Sequence, residues 1–503
     1  MIKNFVAILV ILLASIVISL PLLKPGLYVI HDDQQIARLF LFDEALKSGQ
    51  FPVRWVDGLG FGFGYPLFVF YPPFVYMLGE LFHLIGSGFI NSIKLVFFAS
   101  IIASGFAMYI LAKEFWDKYS AVVASVFYLL VPYRALDIYV RGALSTHNLI
   151  FLPFMLILPV YLLFLIWKAE NKKLFIVNCL SSIVYSFGLS AFFWLPALLE
   201  KKYTIVDQLL LVNLANYNIH FIYPQQLWNW PWGFGGSAAG LTDGISFKIG
   251  KLHVFTSIAA SVLAIAHLIR LKLSGANGSP AEALAKAGQL SIVFFVLFLF
   301  SAFMTTFYSK PIWDLIPPLA YTQFPWRFLI FTSLFSSILA GALVYLLRLP
   351  ILRLIASLIL VVLLAIPNFK LFKPQTYRPD LTDEIATSEE IKVQILSGLA
   401  QINSLNSTPS KINFIVNAKD PLQVRVNVFN FPGWNAKVDG KKFTIADNNR
   451  LKLITLNIPE GVHRVEIQFK DTFDRFTGNI ISLTSLLILF FFIIRQWKIR
   501  DIH

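Results

Sequence analysis

The sequence predicts an α-helical membrane protein with about ten transmembrane helices and a small extracytoplasmic β-sandwich before the last helix. The 503-residue chain is 57% hydrophobic and only 14% charged, whereas a soluble domain is about a quarter charged. Its apolar residues form runs long enough to cross a bilayer. A hydrophilic region, 368–476, precedes the last run and carries the apolar alternation that is typical of strands.

Eight apolar runs have the length that a spanning helix needs, which is roughly 17 to 25 residues. They occupy 4–23, 89–112, 148–167, 174–196, 253–271, 289–308, 326–347 and 477–495. Two shorter runs, 119–133 and 350–367, complete the predicted set. No small-residue cleavage site follows the first run, so we interpret it as an uncleaved anchor rather than a signal peptide.

The segment 66–86 is apolar, but Pro72, Pro73, Glu80 and His83 interrupt it. If it crossed the bilayer, every later loop would change sides. With this segment on the membrane surface, basic residues collect in short segments on one side, as the positive-inside rule expects. We therefore predict a surface helix after the proline pair and both termini in the cytoplasm. This distribution explains the net charge of +14 without a nucleic-acid partner.

This topology leaves five regions on the outer side: 24–88, 134–147, 197–252, 309–325 and 368–476. The last region contains turn pairs between alternating apolar runs, which predicts a β-sandwich. The expected domains are a transmembrane module (1–367) with its first outer loop (24–88), the sandwich (368–476), and the final helix with a basic tail (477–503). Trp434 lies beside a turn of the sandwich and is expected in its core, although stacking on a sugar is an alternative.

Acidic residues are concentrated in the first outer loop. His31, Asp32 and Asp33 follow the first span, and Asp43 and Glu44 come later. One carboxylate of the first pair can cap a following helix by accepting its free amide hydrogens. A cap needs only one acid, however, and adjacent carboxylates at a membrane surface favour a group that can take up a proton. Capping and catalysis therefore both stay open.

Cationic residues at the outer ends of two later spans are candidates for binding an anion. Arg134, Asp137 and Arg141 fall on one helical stripe and could form an ion-pair network; alternatively, Arg141 and His147 bind a phosphate leaving group. His147 follows them, and Arg327 begins the span after the fourth outer region. Arg327 either reaches lipid headgroups or binds a lipid-linked phosphate.

The sequence contains no recognisable metal or redox motif. The eight histidines are scattered, the HExxH pattern is missing, and the single cysteine, Cys179, lies in an apolar run. A divalent ion held by Asp32, Asp33 and substrate phosphates is compatible with these residues, but two acids also serve without one. No cofactor is therefore assigned with certainty.

Several strings resemble known families of membrane proteins. An anchor helix, an acidic pair, a Gly/aromatic loop and a YPP-started surface helix occur in an order that resembles the GT-C glycosyltransferase fold. Similarity to the bacterial and archaeal membrane proteins labelled "6-pyruvoyl-tetrahydropterin synthase related" is carried by HDDQQIARLFLFDEALKSGQFPVRW, GFGYPLFVFYPP, YVRG and QFPWRF. The outer domain of the related YfhO family is similar to FNFPGWNAKVDGKKFTI and IPEGVHRVEIQF.

The resemblance implies inverting transfer of a sugar from a polyprenyl-phosphate or polyprenyl-diphosphate donor on the outer face. Pterin chemistry is not implied, because the zinc-binding histidine set that it would need is missing. The candidate roles are base for Asp32 or Asp33, supporting or alternative acid for His31, Asp43, Glu44 or Asp137, donor phosphate binding for Arg141, His147 or Arg327, and stacking on the acceptor or sugar for Tyr65, Tyr71 or Trp326.

The predicted function is thus that of a multi-pass glycosyltransferase in the plasma membrane with an outward-facing site. Its partners would be a polyprenyl-phosphate-linked sugar, an extracytoplasmic glycan, lipid or protein acceptor, and membrane lipids. Two alternatives stay open, namely a transporter or flippase of lipid-linked sugars and a non-catalytic GT-C relative. Ion-coupled carriers place ionisable groups within their spans and often show broken helices, whereas the acids of this chain cluster outside.

Overall fold

The computed structural model describes residues 2–144, 171–209, 216–275, 278–347, 349–379, 383, 393–397 and 400–500. The chain divides into two compact units. The first unit comprises Met1–Gln35, Gly86–Pro159 and Gln208–Asp383, and the second comprises Ile36–Ile85, Val160–Asp207 and Glu384–His503. Each unit is therefore assembled from segments that are distant in the sequence.

The described residues include 8 helical segments that are long and apolar enough to cross a membrane. They are Phe5–Leu23, Phe89–Phe115, Lys118–Arg141, Lys251–Ser274, Pro280–Met304, Pro325–Tyr345, Pro350–Leu371 and Phe473–Phe491. A further candidate is the pair Lys172–Leu189 and Ala191–Tyr203, which is bent by 69°. The chain is therefore a multi-pass membrane protein. Each predicted span has a counterpart here except 148–167, all of which lies outside the described residues.

The first unit is built from helices. Its longer helices are Ile2–Ser19, Phe89–Phe115, Lys118–Leu129, Lys251–Ser274, Ser279–Met304, Leu329–Tyr345 and Pro350–Asn368. Its shorter helical elements are Leu20–Leu23, Pro132–Leu136, the π-helical turn Asp137–Arg141, Tyr217–Ile219, Pro224–Trp228, Phe307–Ser309, Lys310–Leu315, Pro317–Thr322, Pro325–Phe328 and Phe369–Leu371. Two short strands, Leu27–Tyr28 and Tyr377–Arg378, pair antiparallel.

Close packing in this unit depends on small residues. The helix Leu329–Tyr345 is buried along most of its length, and a Cβ placed on its Gly341 would lie 2.7 Å from the Ser120 carbonyl oxygen. The hydroxyl groups of Ser333 and Ser337 donate hydrogen bonds to backbone carbonyl oxygens one turn earlier in the same helix. Small residues that let helix backbones approach are typical of helix packing in membranes.

The two ends of the first unit differ in character. Asp117 and Arg353 form an ion pair at one end. Asp117 immediately precedes the span that ends at Arg141, and Arg353 follows the span that begins at Pro325. Arg141 and Arg327 therefore lie at the opposite ends of their spans.

The second unit contains two antiparallel sheets near the end of the chain. In spatial order, the larger sheet has the strands Ala400–Thr408, Lys411–Ala418, Gly461–Phe469, Trp434–Val438 and Lys441–Phe443, and the smaller sheet has Val393–Ser397, Leu422–Phe429 and Leu453–Ile458. Their inward-facing apolar residues form one buried cluster, as the alternating pattern predicts. Trp434 is 7% exposed and belongs to this core.

Helices make up the rest of the second unit. They are Gln35–Lys47, Leu67–Phe70, Phe74–Leu84, Lys172–Leu189, Ala191–Glu200, Lys201–Tyr203, Val206–Leu209 and Phe473–Arg500. Gln35 and the last two residues of Val206–Leu209 belong to the first unit. The helix predicted after the proline pair is present as Phe74–Leu84 and has 11 residues, which is too short to span a bilayer.

Trp55 joins the first outer region to the core of the sheets. Its side chain is fully buried, and its ring centroid lies 5.4 Å from that of Trp434 and 5.3 Å from that of Phe469. Gly64 contacts the indole ring of Trp55 and has φ +77°. A Cβ atom at this position would lie 2.5 Å from the ring. Part of the Gly/aromatic loop is therefore structural, because it closes over this tryptophan.

Glu200 and Arg475 form an ion pair that is buried in the second unit. Arg475 Nη2 lies 2.7 Å from Glu200 Oε2 and also donates to the Pro432 carbonyl oxygen. The Thr472 hydroxyl donates to Glu200 Oε1, and the Arg475 guanidinium lies 4.7 Å from the Phe469 ring centroid. The pair thus connects the end of the bent helix pair, the start of the last helix and the larger sheet.

We expect Arg475→Leu to lower the free energy of unfolding by about 3–5 kcal/mol, because it leaves the Glu200 carboxylate buried without its partner. The double variant Glu200→Leu/Arg475→Leu should lose less, because both charges are removed. Denaturant unfolding in detergent measures both changes. Lys310→Ala, which breaks the exposed pair Lys310–Asp314, is the control and should alter the midpoint little. Wild-type stability of Arg475→Leu would contradict this role.

Candidate functional site

The turn that carries the acidic pair is bonded to the end of the span Lys118–Arg141. The backbone N–H of His31 donates to the Val140 carbonyl oxygen at 3.0 Å, and that of Asp32 donates to the Arg141 carbonyl oxygen at 2.8 Å. Asp32 and Arg141 are therefore neighbours although they are distant in the sequence. Both residues belong to the first unit.

Arg141 connects Asp32 with a second arginine. Its Nη1 donates to the Asp137 carboxylate, and its guanidinium lies 4.5 Å from the Trp326 ring centroid. The Asp32 carboxylate is close enough to interact electrostatically with both Arg141 and Arg327. The predicted ion pair with Asp137 is thus present, and Arg141 also belongs to the cluster that contains Asp32 and Arg327.

Arg134 is held by other hydrogen-bond partners, although its charge interacts with that of Asp137. Its Nη1 donates to the Ser104 hydroxyl at 2.6 Å, and its guanidinium lies 4.5 Å from the Tyr128 ring centroid. The π-helical turn Asp137–Arg141 is wider than an α-helical turn. The spacing of the predicted stripe is therefore changed, and Asp137 forms its ion pair with Arg141.

Arg327 lies in a segment that holds several unsatisfied polar atoms. It is 6% exposed, and its Nη1 donates to the Thr322 carbonyl oxygen. Among the described residues, Thr322 Oγ1, Trp326 Nε1 and Arg327 Nε are buried without a hydrogen-bond partner. Such groups are rare because leaving them unsatisfied costs free energy. Their donors suit an acceptor such as a phosphate oxygen.

The Trp326 ring is not available for the predicted stacking on a sugar. It is 3% exposed, and its centroid lies 5.5 Å from that of Phe247 and 5.0 Å from that of Phe324, in addition to the contact with Arg141. A sugar could reach the ring only by displacing one of these groups. The Trp326 ring therefore packs against Arg141, and only its indole N–H is left to bind a ligand.

Asp32 and Asp33 are both exposed and precede the helix that begins at Gln35. Within the described part of the chain, neither carboxylate accepts a hydrogen bond. The capping hypothesis therefore has no hydrogen bond to support it. Asp32 is joined to Arg141 by its backbone N–H, and its charge interacts with both arginines.

The third outer region adds residues that no sequence motif indicates. His31 Nε2 lies 2.9 Å from the Phe234 carbonyl oxygen, and Phe247 packs against Trp326. The only sequence signal is the density of glycines between Gly233 and Gly244, which is typical of many loops. A backbone carbonyl that accepts a hydrogen bond has no sequence signature at all.

Other predicted site residues belong to the second unit. Asp43 is 1% exposed and pairs with Lys47 Nζ at 2.7 Å, while Glu44 is partly buried. Tyr71 lies 4.6 Å beneath the Arg38 guanidinium, and Tyr65 is 44% exposed. His147 lies outside the described residues.

Asp43 is close to a second buried acid, Glu80, which is 3% exposed. Burial raises the pKa of the Glu80 carboxyl group, and the nearby Asp43 charge raises it further. Both effects disfavour the charged form of Glu80. Glu80 therefore keeps its proton at pH values where an exposed glutamate has lost it.

Within the described residues, no group of three or more His, Cys, Asp or Glu side chains could hold a metal ion. A divalent ion that is bound jointly by Asp32, Asp33 and substrate phosphates stays a prediction. No known protein-family model matches the chain, and no curated protein or solved structure matches it.

We expect Glu80→Gln to make stability less dependent on pH. A carboxyl group whose pKa is raised by folding binds its proton more tightly in the folded state, so its contribution to stability falls as the pH rises above the unfolded value of about 4.5. The amide does not titrate. The stability of the variant relative to wild type should therefore increase with pH until the folded pKa is passed.

Unfolding midpoints in detergent from about pH 4 to about pH 9 would measure this difference. Glu44→Gln is the matched control because it changes an acid on the same helix as Asp43. Parallel pH profiles for Glu80→Gln and wild type would show that the Glu80 carboxyl group is not the titrating group.

Proposed function

We propose that this protein is an inverting membrane glycosyltransferase that uses a polyprenyl-phosphate-linked sugar donor. The observation that carries the proposal is the hydrogen bond from the Asp32 backbone N–H to the Arg141 carbonyl oxygen, which places the exposed Asp32 beside Arg141 and within electrostatic range of Arg327. A carboxylate beside two guanidiniums combines a proton acceptor with a binding site for a phosphate leaving group. The resemblance of the motif order to GT-C glycosyltransferases supports the same chemistry.

In this mechanism, Asp32 acts as the general base. Its carboxylate has no hydrogen-bond partner among the described residues, so it is available to accept the proton of an acceptor hydroxyl group. The hydroxyl oxygen attacks the anomeric carbon as the bond from that carbon to the phosphate oxygen breaks. Attack from the side opposite the leaving group inverts the anomeric configuration. Asp33 is assigned no chemical step, because the hydrogen bond to Arg141 is made by Asp32.

The two arginines have different roles at the leaving group. The charge of Arg141 is partly balanced by its ion pair with Asp137. Arg327 forms no salt bridge with the described residues and is held by a carbonyl group and an aromatic ring. We therefore assign to Arg327 the main stabilisation of the phosphate charge that develops as the glycosidic bond breaks. Arg141 and the donors of Thr322 and Trp326 complete the phosphate site.

The proposed site faces outwards in a cell membrane, with both termini in the cytoplasm. This orientation rests on the positive-inside distribution of basic residues and on the positions of Arg141 and Arg327 at the ends opposite the Asp117–Arg353 pair. The acceptor would be an extracytoplasmic glycan, lipid or protein. A polyprenyl-linked donor would reach the site from the bilayer.

We expect Asp32→Asn to lower sugar transfer by about 10²- to 10⁴-fold, because it removes a general base. Asp33→Asn should retain most of the activity. Arg327→Gln should lower transfer by about 10²- to 10³-fold, because charge stabilisation is lost. The measurement uses purified protein in nanodiscs with a panel of radiolabelled polyprenyl-phosphate sugars and an acceptor extract from the cell envelope.

Binding of undecaprenyl phosphate separates the roles of these residues. Asp32→Asn should bind this sugar-free lipid as wild type does, whereas Arg327→Gln should bind it more weakly. Transfer that is undiminished in Asp32→Asn would exclude Asp32 as the base. Wild-type protein without transfer from any donor in the panel would count against the glycosyltransferase proposal itself.

A further inference from the structure

We propose that a glycine-rich hairpin in the third outer region, residues 233–245, positions Asp32 through a hydrogen bond with His31. We call this segment the glycine hairpin. The inference deepens the proposed function and rests on it in one respect, namely that Asp32 is the base. His31 and the glycine hairpin are positioning elements and contribute no chemical step of their own.

The two sides of the glycine hairpin lie so close together that glycine is required between them. The N–H of Gly235 donates to the Gly244 carbonyl oxygen, and the N–H of Gly244 donates to the Gly236 carbonyl oxygen, both at 2.9 Å. A Cβ at Gly233 would lie 2.2 Å from the Gly244 carbonyl oxygen. A side chain at that position would force the two sides of the hairpin apart.

A buried carboxylate holds the turn of the glycine hairpin. Asp243 is 8% exposed, and its Oδ1 accepts the N–H of Ala238 at 2.7 Å. Its Oδ2 accepts a hydrogen bond from Gln226 Nε2, also at 2.7 Å, and its carbonyl oxygen accepts one from Trp230 Nε1. Hydrogen bonds to a charged group are stronger than neutral ones. The turn is therefore fixed to the helix Pro224–Trp228.

His220 and Phe247 link the glycine hairpin to the segment that carries Arg327. His220 Nδ1 lies 2.9 Å from the Ser237 hydroxyl oxygen, and the His220 ring centroid lies 4.6 Å from that of Phe324. Just after the hairpin, Phe247 contacts Trp326. These contacts place the hairpin in a fixed position relative to the proposed phosphate site.

His31 completes the connection to the acidic pair. Its Nε2 lies 2.9 Å from the Phe234 carbonyl oxygen, and because a carbonyl only accepts, Nε2 carries the proton of this bond. The backbone N–H of His31 donates to Val140. The residue is thus held by both its side chain and its backbone, although it is exposed. Asp32 is the next residue, so its Cα position is fixed from one side by this pair of bonds.

This arrangement matters because a general base must lie within hydrogen-bond distance of the proton that it removes. Misplacement by about 1 Å can lower turnover by about 10²-fold. An exposed turn gains little order from apolar burial, so hydrogen bonds have to supply it. Loss of the His31–Phe234 bond should therefore affect the rate of the chemical step more than the binding of the donor.

Hydrogen–deuterium exchange on the full chain in nanodiscs tests the structural part. His31→Leu removes the donor, whereas His31→Gln keeps an N–H that can reach the Phe234 carbonyl oxygen. In His31→Leu, the amides of Asp32, Gly235 and Gly244 should exchange about five- to tenfold faster, as expected for loss of one hydrogen bond. In His31→Gln they should stay close to wild type.

His267→Leu is the matched control. It removes another histidine–carbonyl hydrogen bond, from His267 Nε2 to Leu346, near the opposite end of the first unit. It should leave exchange at Asp32 and at the glycine hairpin unchanged. Wild-type exchange in His31→Leu, or an equal acceleration in His31→Leu and His31→Gln, would overturn the inference.

The transfer assay tests the consequence for the reaction. His31→Leu should lower kcat by about 10²-fold while the donor KM changes little, and His31→Gln should restore most of the rate. Equal kcat in His31→Leu and wild type would also overturn the inference. If wild type transfers no sugar at all, the proposed function fails, but the exchange measurement still decides whether the glycine hairpin positions Asp32.

Discussion

The site depends on a close approach between two backbone segments, which glycine makes possible. Gly142 has φ +66°, and a Cβ there would lie 2.3 Å from Ile30 Cδ1. Without that atom, the chain around Ile30 comes near enough for His31 and Asp32 to bond to the end of the π-helical turn. Such turns are often found at functional sites. The conformation of Gly142 and its lack of a side chain therefore allow the turn that carries His31 and Asp32 to lie beside Arg141.

The cost of burying charge explains why the two arginines are held so differently. Ionisable groups within membrane spans are expensive unless they are paired. Arg141 is paired with Asp137 and covered by Trp326. Arg327 donates a hydrogen bond to the Thr322 carbonyl oxygen and packs on the Phe324 ring, and its Nε has no hydrogen-bond partner among the described residues. In the proposed reaction, a bound phosphate would offset part of the cost of burying Arg327.

Local patterns in the sequence predict much of the fold because apolar runs, proline pairs and alternating strands act over short distances. The helix Phe74–Leu84 and the burial of Trp434 were predictable in this way. Residue types also identified Asp32 and the two arginines as candidates. Their proximity was not predictable, because it depends on how the ends of separate spans pack. Trp326 illustrates this limit, because an indole has the same sequence signature whether its ring is open to a sugar or covered by arginine and phenylalanine.

The bent helix pair bears on the choice between a carrier and an enzyme. Broken spans in carriers direct free backbone groups at substrates or ions. Here the Phe192 N–H donates to the Ser482 hydroxyl oxygen at 2.7 Å, and the Phe192 carbonyl oxygen accepts a hydrogen bond from Arg54 Nη2 at 2.7 Å. The Ser482 hydroxyl donates in turn to the Gly188 carbonyl oxygen. Side chains of the second unit therefore satisfy these backbone groups, as expected for a bend that does not move. A carrier would have to break these bonds before the bend could bind a substrate, whereas the proposed transferase reaction leaves them intact.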